Sequence, residues 1–214
     1  MTQEIAKKFR DALAHSKGEF AKRSFNKILE LSGGTPHDQN SLIVFYAGDH
    51  YLVRYPEGDV VFWDEEKGKV KEGTVEITTH ILILQYLTEV CGVQPTGRWI
   101  SFRELPGGNN HFGTFKLEAM EPLAQHFGNS PEKFSEICQI LKGRKLDMGD
   151  LAYAIPALPK LEVALVLWLA DEEFPAQANV LYDANASQHL NTEALEVMVI
   201  NLVEKMVAWV KEHS

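Results

Sequence analysis

Apolar residues follow two different periods along this chain, and the two periods predict helices and strands in alternation. Helical spacing marks the stretch from Ile5 to Leu29, where the pair Gly33-Gly34 is typical of a helix end. A wide apolar stripe predicts a long last helix that opens at Asn191 or Thr192. Further helices are predicted at three places: residues 81–90 with Thr78 or Thr79 as cap and Gly92 as terminator, the stretch after Phe115 with Pro122 as a kink or helix start, and the stretch after Ser130-Pro131.

Short apolar runs between these helices predict β-strands. The runs rich in Val, Tyr, Phe and Trp are separated by turn residues, which indicates an antiparallel meander in the first third of the chain. Leu161–Leu169 carries a single charge and is typical of a strand buried on both faces. Loops are predicted at Pro36–Asn40, at Asp64–Gly73 and where Pro156 and Pro159 break the chain; the other strands are predicted at Ser41–Tyr46, Tyr51–Tyr55, Val60–Trp63, Trp99–Phe102, Leu151–Ile155 and Asn179–Tyr182.

These elements predict an α+β fold, a mixed and largely antiparallel sheet packed by about five helices. The length of 214 residues fits a single continuous domain. Within it we expect two lobes, one of helices plus the meander at 1–75 and one α+β lobe at 76–214.

Composition and charge exclude several classes of protein. A net charge of −9 argues against a nucleic-acid surface, which needs clustered Lys and Arg. No apolar run is long enough to span a membrane, and none follows the first methionine as a signal peptide would. Cys91 and Cys138 have no metal-site spacing, so we expect reduced core thiols in a cytoplasmic protein, with a disulfide between them as the less favoured alternative.

The segment from Arg103 to His111 is the first candidate site. Gly107 and Gly108 free the backbone for positive φ, which can point successive amides at an anion. Arg103 can add a bidentate contact to a carboxylate or phosphate. The alternative, which we favour, is a plain turn in which Arg103 pairs with one of the acids.

The second candidate site follows the buried strand, where Trp168 precedes three consecutive acids and Phe174. On an extended chain Asp171 and Glu173 share one face, so they could bind a hard cation, act as acid and base, or receive Arg103. Asp183 and the pair Asp147 and Asp150 are candidates to join them. The alternative is that these carboxylates cap turns.

Histidines supply the third candidate. His111 follows the glycines and His189 precedes the last helix, and a neutral imidazole of either can bind zinc or a haem iron. Neither lies in a metal-binding motif such as HExxH, and no serine or cysteine lies in a nucleophile elbow. The ordinary role of a core or surface histidine is the alternative for both.

Several short motifs together resemble a known family, the domain of unknown function 3786 family of anaerobic bacteria and archaea. The resemblance extends from about Ala14 to Lys205 and implies no activity or catalytic residue. Relatives with an attached four-cysteine iron–sulfur module imply redox or corrinoid-related neighbours. The motifs are Phe102–Gly107, Pro122–Ala124 with Phe127-Gly128, Gly149-Asp150, Leu167–Asp171 with Glu173–Pro175, and His189-Leu190 with Thr192-Glu193.

We therefore expect a cytoplasmic binding protein for an anionic or carboxylate-rich cofactor, with the tetrapyrroles haem and corrinoid as candidates. Trp99, Phe112 and Trp168 would form apolar walls, and His111 or His189 would be the axial ligand. Two alternatives stay open: an enzyme that uses Asp171 and Glu173 with Arg103 orienting the substrate, and an interaction module for an iron–sulfur redox partner. The predicted ligand-binding residues are Arg103, Glu104, Gly107, Gly108, His111, Trp168, Asp171, Glu173, Phe174 and His189.

Overall fold

A computed structural model describes residues 3–213 and divides the chain into two compact units. Each unit is mainly one stretch of sequence, with short segments contributed from elsewhere. Whether the units form one continuous domain, as the sequence predicts, stays a prediction. Unit 1 contains the chain up to Val93 with Leu158–Lys160 and Gln188–Leu190, and unit 2 contains Gln94–Ala157, Leu161–Ser187 and the chain from Asn191 onward.

Unit 1 begins with two helices in the stretch where helical spacing predicts helix, α1 (Gln3–Lys22) and α2 (Phe25–Ser32). Phe20 and Ile28 of these helices are fully buried. Gly33 ends α2 in the left-handed conformation with φ of 73°, which confirms the predicted helix terminator.

The predicted meander is a five-stranded antiparallel sheet whose spatial order follows the chain. Its first strand replaces the loop predicted at Pro36–Asn40, and that prediction was wrong because Thr35 and Pro36 pair with the next strand. Proline is tolerated there because the strand is at the sheet edge and needs no donor on its open side. The strands are β1 (Thr35–Asp38), β2 (Ser41–Tyr46), β3 (Asp49–Arg54), β4 (Asp59–Asp64) and β5 (Lys69–Val70).

Helix α3 (Ile77–Glu89) completes unit 1 and is buried on most sides, as its apolar sequence predicts. Both predicted ends were wrong. The N-cap is Glu76 rather than a threonine, and the helix stops at Glu89, before Gly92. It stops early because the Arg23 guanidinium donates to the carbonyls of Leu87, Thr88 and Val90, which satisfies the carbonyls at the helix end.

Because α3 ends at Glu89, Cys91 is not part of the helix. Cys91 lies beyond the helix and is exposed, so the prediction that it is a core thiol was wrong. Cys138 is buried as predicted, and both thiols are free.

Unit 2 contains a second five-stranded sheet, so the α+β class is confirmed with two sheets instead of one. The central strand is the predicted apolar run, and its residues from Val163 to Leu167 are all buried. The strands, in spatial order, are β6 (Trp99–Ser101), β10 (Gln177–Asp183), β9 (Leu161–Trp168), β8 (Leu151–Leu158) and β7 (Arg144–Leu146).

Pro156 lies inside β8 instead of breaking it, and only Pro159 lies in the turn to β9. The position tolerates proline because β7 pairs with β8 only as far as Ala154. No donor toward β7 is therefore required from Pro156.

The helices of unit 2 are α4 (Gly108–Phe115), α5 (Glu121–Phe127), α6 (Pro131–Ile140) and α7 (Thr192–Glu212). A π-helical turn, Lys116–Met120, joins α4 to α5. Pro122 lacks the N–H that would bond one turn back, so a widened turn before it avoids an unsatisfied α-helical bond. Asn191 caps α7 by accepting from the Ala194 amide, as predicted. Within residues 3–213 we find no helix with the length and apolar content needed to cross a membrane.

Candidate functional site

The Arg103–His111 segment is more ordered than the open loop predicted from its glycines. Phe102–Glu104 forms one 3-10 turn, and α4 begins directly at Gly108. Gly107 is the N-cap and has a positive φ of 76°, whereas Gly108 is buried against the backbone carbonyl of Phe102. The two glycines therefore have separate roles: one turns the chain and the other permits a close backbone approach.

Arg103 forms none of the ion pairs found among residues 3–213, whereas the plain-turn alternative requires one. The Arg103 guanidinium carbon lies 3.9 Å from the Phe112 ring centroid, a cation–π contact. The Glu104 carboxylate accepts hydrogen bonds of 2.7 Å from the Ser101 amide and hydroxyl, which lower its pKa. Glu104 thus completes a capping box, and Arg103 lies exposed beside α4.

A cavity of about 520 Å³ opens beside this segment, within unit 2. The N-terminal residues of α4 and the N-cap and first residues of α7 line it together, so two helix N-termini face one space. The helix dipole makes each N-terminus favourable for negative charge, although the amides of Gly108, Asn110 and Ala194 already donate to groups of the protein. The lining residues are Pro106, Gly107, Asn110, His111, Ser187, Asn191, Thr192 and Glu193.

Two hydrogen bonds hold parts of this cavity lining in place. The Thr192 hydroxyl donates a 2.7 Å hydrogen bond to the Pro106 carbonyl. The Asn191 side chain is used as the α7 cap, where it accepts from the Ala194 amide at 2.9 Å. These bonds fix the start of α7 against the turn that precedes α4, so the cavity walls are preorganised.

His111 is the chemically active side chain of the lining. Its Nδ1 lies 3.4 Å from Oε2 of Glu196, whose residue is only 7% exposed. Burial raises the pKa of Glu196, His111 opposes that shift, and Glu118 and Glu193 reinforce it. At 3.4 Å the carboxylate lies beside the imidazole at the long limit of hydrogen-bond distance, and a ring nitrogen of a neutral imidazole can bind a metal or accept a proton.

The second predicted site, from Trp168 to Phe174, lies outside this cavity. Asp171 closes a turn: its Oδ1 accepts from the amides of Glu173 and Phe174 at 2.8 and 2.7 Å, and these bonds lower its pKa. Asp150 accepts from the Leu169 amide at 2.8 Å, at the end of the same strand. The joint site of these acids with Arg103 stays a prediction.

The aromatic residues around the acidic turn face outward. Trp168 is 42% and Phe174 is 61% exposed, although both are large and apolar. Exposed aromatic residues of this size are typical of surfaces that contact a partner.

His189 belongs to unit 1, whereas His111 belongs to unit 2. It is 1% exposed, and its Nδ1 lies 3.7 Å from the Cys91 sulfur. In the part of the chain that the structure describes, no group of three or more His, Cys, Asp or Glu side chains is arranged to hold a metal ion. Axial ligation by a single histidine, His111 or His189, stays a prediction.

A family model for "Domain of unknown function (DUF3786)" matches residues 24–205, most of the chain. The chain belongs to this family. The match confirms the resemblance found in the sequence motifs. Comparisons with curated proteins and with solved structures gave no match.

In this DUF3786 chain Glu196 was not identified from the sequence as the partner of His111. Glu196 lies near the start of α7, where an acid also suits the helix dipole, but it shares a helix face with the buried residues Thr192, Val199 and Val203. An acid at a buried helical spacing is a signal for a functional or paired carboxylate. Asn110 and Ser187 carried no such signal, because polar residues in a predicted loop are ordinary.

Proposed function

We propose that this chain is a cytoplasmic small-molecule binding protein whose ligand carries a carboxylate or phosphate and occupies the cavity beside His111. The observation that carries this proposal is that two helix N-termini and one carboxylate-held imidazole border the same space. Each of these groups favours a negative ligand atom or a metal bound to the ligand.

The polarity of the lining narrows the ligand further. Asn110 and Ser187 offer an amide and a hydroxyl, and Pro106 is the main apolar contact. Glu193 places one negative charge in the first turn of α7, where its carboxylate can accept a hydrogen bond from the ligand. A ligand with a hydrogen-bond donor beside its anionic group therefore fits this cavity better than a simple anion.

The finer form of the proposal is a tetrapyrrole, haem or a corrinoid, bound through His111 as axial ligand. It is supported by the Glu196 contact to Nδ1, since metal-binding histidines generally donate their other N–H to a carboxylate or carbonyl. The same contact suits a histidine that accepts a proton in a reaction. An enzyme built on Asp171 and Glu173, and an interaction module for an iron–sulfur redox partner, stay predictions; the exposure of Trp168 and Phe174 favours the second of them.

Replacing His111 with alanine is expected to weaken ligand binding about tenfold or more, because it removes the group that contacts the ligand metal or anion. The probes are inorganic phosphate, succinate, haem and cobalamin, measured by isothermal titration calorimetry and, for the last two, by absorption spectra. His15→Ala on the exposed surface of α1 is the matched control. The proposal fails if no probe binds the wild-type protein, or if His111→Ala binds every probe as tightly as wild type does.

Replacing Glu196 with glutamine is expected to raise the melting temperature at neutral pH. Burial raises the pKa of Glu196 above its ordinary value of 4.5. A carboxyl with a raised pKa contributes its stability below the unfolded pKa and loses it as pH rises through the folded pKa. The gain from glutamine should therefore be largest near neutral pH and shrink toward about pH 4.

Thermal melts of Glu196→Gln across this range check the sign, with the exposed Glu204→Gln of the same helix as control. A lower melting temperature for Glu196→Gln at neutral pH would show that its contact to His111 outweighs the burial of its charge.

A further inference from the structure

The β1–β5 sheet of unit 1 has a half-exposed apolar face, which lies outside the cavity beside His111. Strand register places Phe45, His50, Trp63 and Val70 in one row of this face, because paired residues of neighbouring strands point the same way. Ile43, Leu52 and Val61 form the next row. The opposite face is the core face: Leu42, Val44, Val53 and Val60 are at most 5% exposed.

This face is concave because the sheet curls. His37 on β1 and Trp63 on β4 lie with ring centroids 4.7 Å apart, although β2 and β3 separate their strands in the sheet. The curl forms one side of an open cavity of about 460 Å³, a size typical of small-molecule sites. The cavity is lined by His37, Asp38, Asn40, Ser41, Leu52, Arg54, Tyr55, Glu57, Trp63, Gly68 and Val70.

The cavity has one cation available to a ligand. Arg54 takes part in none of the ion pairs found among residues 3–213. It is paired across β2 and β3 with Ser41, so both side chains lie on the concave face. Asp59 lies opposite Arg54 on β4, but it forms its 2.6 Å ion pair with Lys17, which lowers the pKa of Asp59 more than Arg54 does. The Arg54 guanidinium, at the edge of an aromatic cavity, is therefore suited to an anionic group.

Ser41 supplies a second polar group beside Arg54. It is 3% exposed, and its hydroxyl oxygen has no partner with hydrogen-bond geometry within the described chain. The hydroxyl is the second cause, after the Asn40 amide, of the lowered pKa of the Asp38 carboxyl, so Asp38 is the acceptor with which a ligand would compete. A ligand oxygen that accepts from this hydroxyl would complete its hydrogen bonding.

We propose that this cavity is a second binding site, for a small planar aromatic compound that carries one anionic group. The ring would pack on Trp63 and His37 with Leu52 beneath it, and the anion would contact Arg54 and the Ser41 hydroxyl. Aromatic packing and a charge-assisted hydrogen bond act together in such a site, and the two carboxylates of the lining, Asp38 and Glu57, disfavour compounds with more than one negative charge.

The test uses two probes of nearly equal shape, naphthalene-2-sulfonate and the uncharged naphthalene-2-sulfonamide, titrated into the full chain by calorimetry. Wild-type protein should bind the sulfonate more tightly than the sulfonamide. Arg54→Gln should weaken sulfonate binding about tenfold and leave sulfonamide binding nearly unchanged. Ser41→Ala should weaken sulfonate binding less, and Arg10→Gln on α1, which also removes one positive charge from unit 1, should change neither.

Far-ultraviolet circular dichroism confirms that each variant is folded before titration; Arg54 is exposed, so its replacement is not expected to unfold the sheet. Three results would overturn the proposal. They are the absence of binding to wild-type protein, equal affinity of both probes, and an Arg54→Gln variant that binds the sulfonate as wild type does. Self-association that Trp63→Arg abolishes, without probe binding, would also overturn it and assign the face to a second copy of the chain.

Discussion

Replacing Gly108 with alanine is expected to destabilise the protein by about 2–3 kcal/mol, the range for inserting an atom into space that cannot yield. A Cβ built on Gly108 would lie 1.9 Å from the backbone carbonyl oxygen of Phe102. Backbone atoms of a 3-10 turn cannot rotate away as a side chain would, so the start of α4 must shift. Urea unfolding followed by circular dichroism measures the loss.

Two neighbouring glycines serve as matched controls for Gly108. Gly113 lies in the same helix with no atom within 4 Å of the position that a Cβ would take, so Gly113→Ala should stabilise α4 by about 0.5–1 kcal/mol through helix propensity alone. Gly107 also has open space but a φ of 76°, so Gly107→Ala should cost about 1 kcal/mol in backbone strain. If Gly108→Ala were as stable as Gly113→Ala, the close approach to Phe102 would be wrong.

The shift forced by Gly108→Ala also has a consequence for the cavity. Gly107, Asn110 and His111 all line it, and all lie within one turn of the substituted position. The contact between His111 and Glu196 should therefore lengthen, and any ligand that depends on it should bind more weakly. Gly113→Ala should bind ligand as wild type does.

The same region shows what sequence patterns can and cannot predict. Long periodic segments such as α7 and β9 were predicted well, because their apolar stripes are wide and their ends carry ordinary signals. The segment Gly107–Asn110 was predicted as irregular, because two glycines and two asparagines are typical of turns. It starts a helix because Gly108 packs under Phe102, a tertiary contact that leaves no trace in local composition.

The pattern of apolar and polar residues also did not predict which strands pair with each other. Residue types and turn signals predicted the meander, and a nearly continuous apolar run predicted the strand at Leu161–Leu169, but both were assigned to one sheet. The structure forms two, because β6 joins β10 and β9 while β1–β5 pair only with each other. Alternation shows which face of a strand is buried, but it does not show which strand lies beside it.

The sequence pattern also did not distinguish structural carboxylates from ligand-binding ones. A carboxylate that caps a turn and one that binds a cation have the same sequence signal, a short acidic run after a strand. The structure shows Asp171, Asp150 and Glu104 accepting backbone amides, while the carboxylate that contacts a cavity residue is Glu196 inside a helix. Burial of the acid, rather than clustering, was the informative feature.

Asp183, which the sequence placed near the second candidate site, is a buried acid that accepts several hydrogen bonds. We expect Asp183→Ala to destabilise unit 2 by about 3 kcal/mol. The residue is 1% exposed. Its Oδ2 accepts from the Thr96 amide, the Thr96 hydroxyl and the Gly97 amide at 2.7, 2.9 and 2.7 Å. Its Oδ1 accepts from the Asn185 amide at 3.0 Å. Alanine would remove the charged acceptor of four hydrogen bonds from a buried position, and hydrogen bonds to a charged group contribute more than neutral ones, although the donors on Thr96 and Gly97 themselves lie at the surface.

Asp183→Asn is the matched variant, because its one carbonyl oxygen can still accept from Thr96 and Gly97 while its amide group loses the contact to Asn185. It should lose clearly less stability than Asp183→Ala in the same urea titration. Asp171→Ala, which removes an exposed carboxylate with two amide donors, should lose less again, because water can replace the acceptor there. If Asp183→Ala unfolded no more easily than Asp171→Ala, the network around β10 would not be structural, and Asp183 would return as a candidate ligand-binding carboxylate.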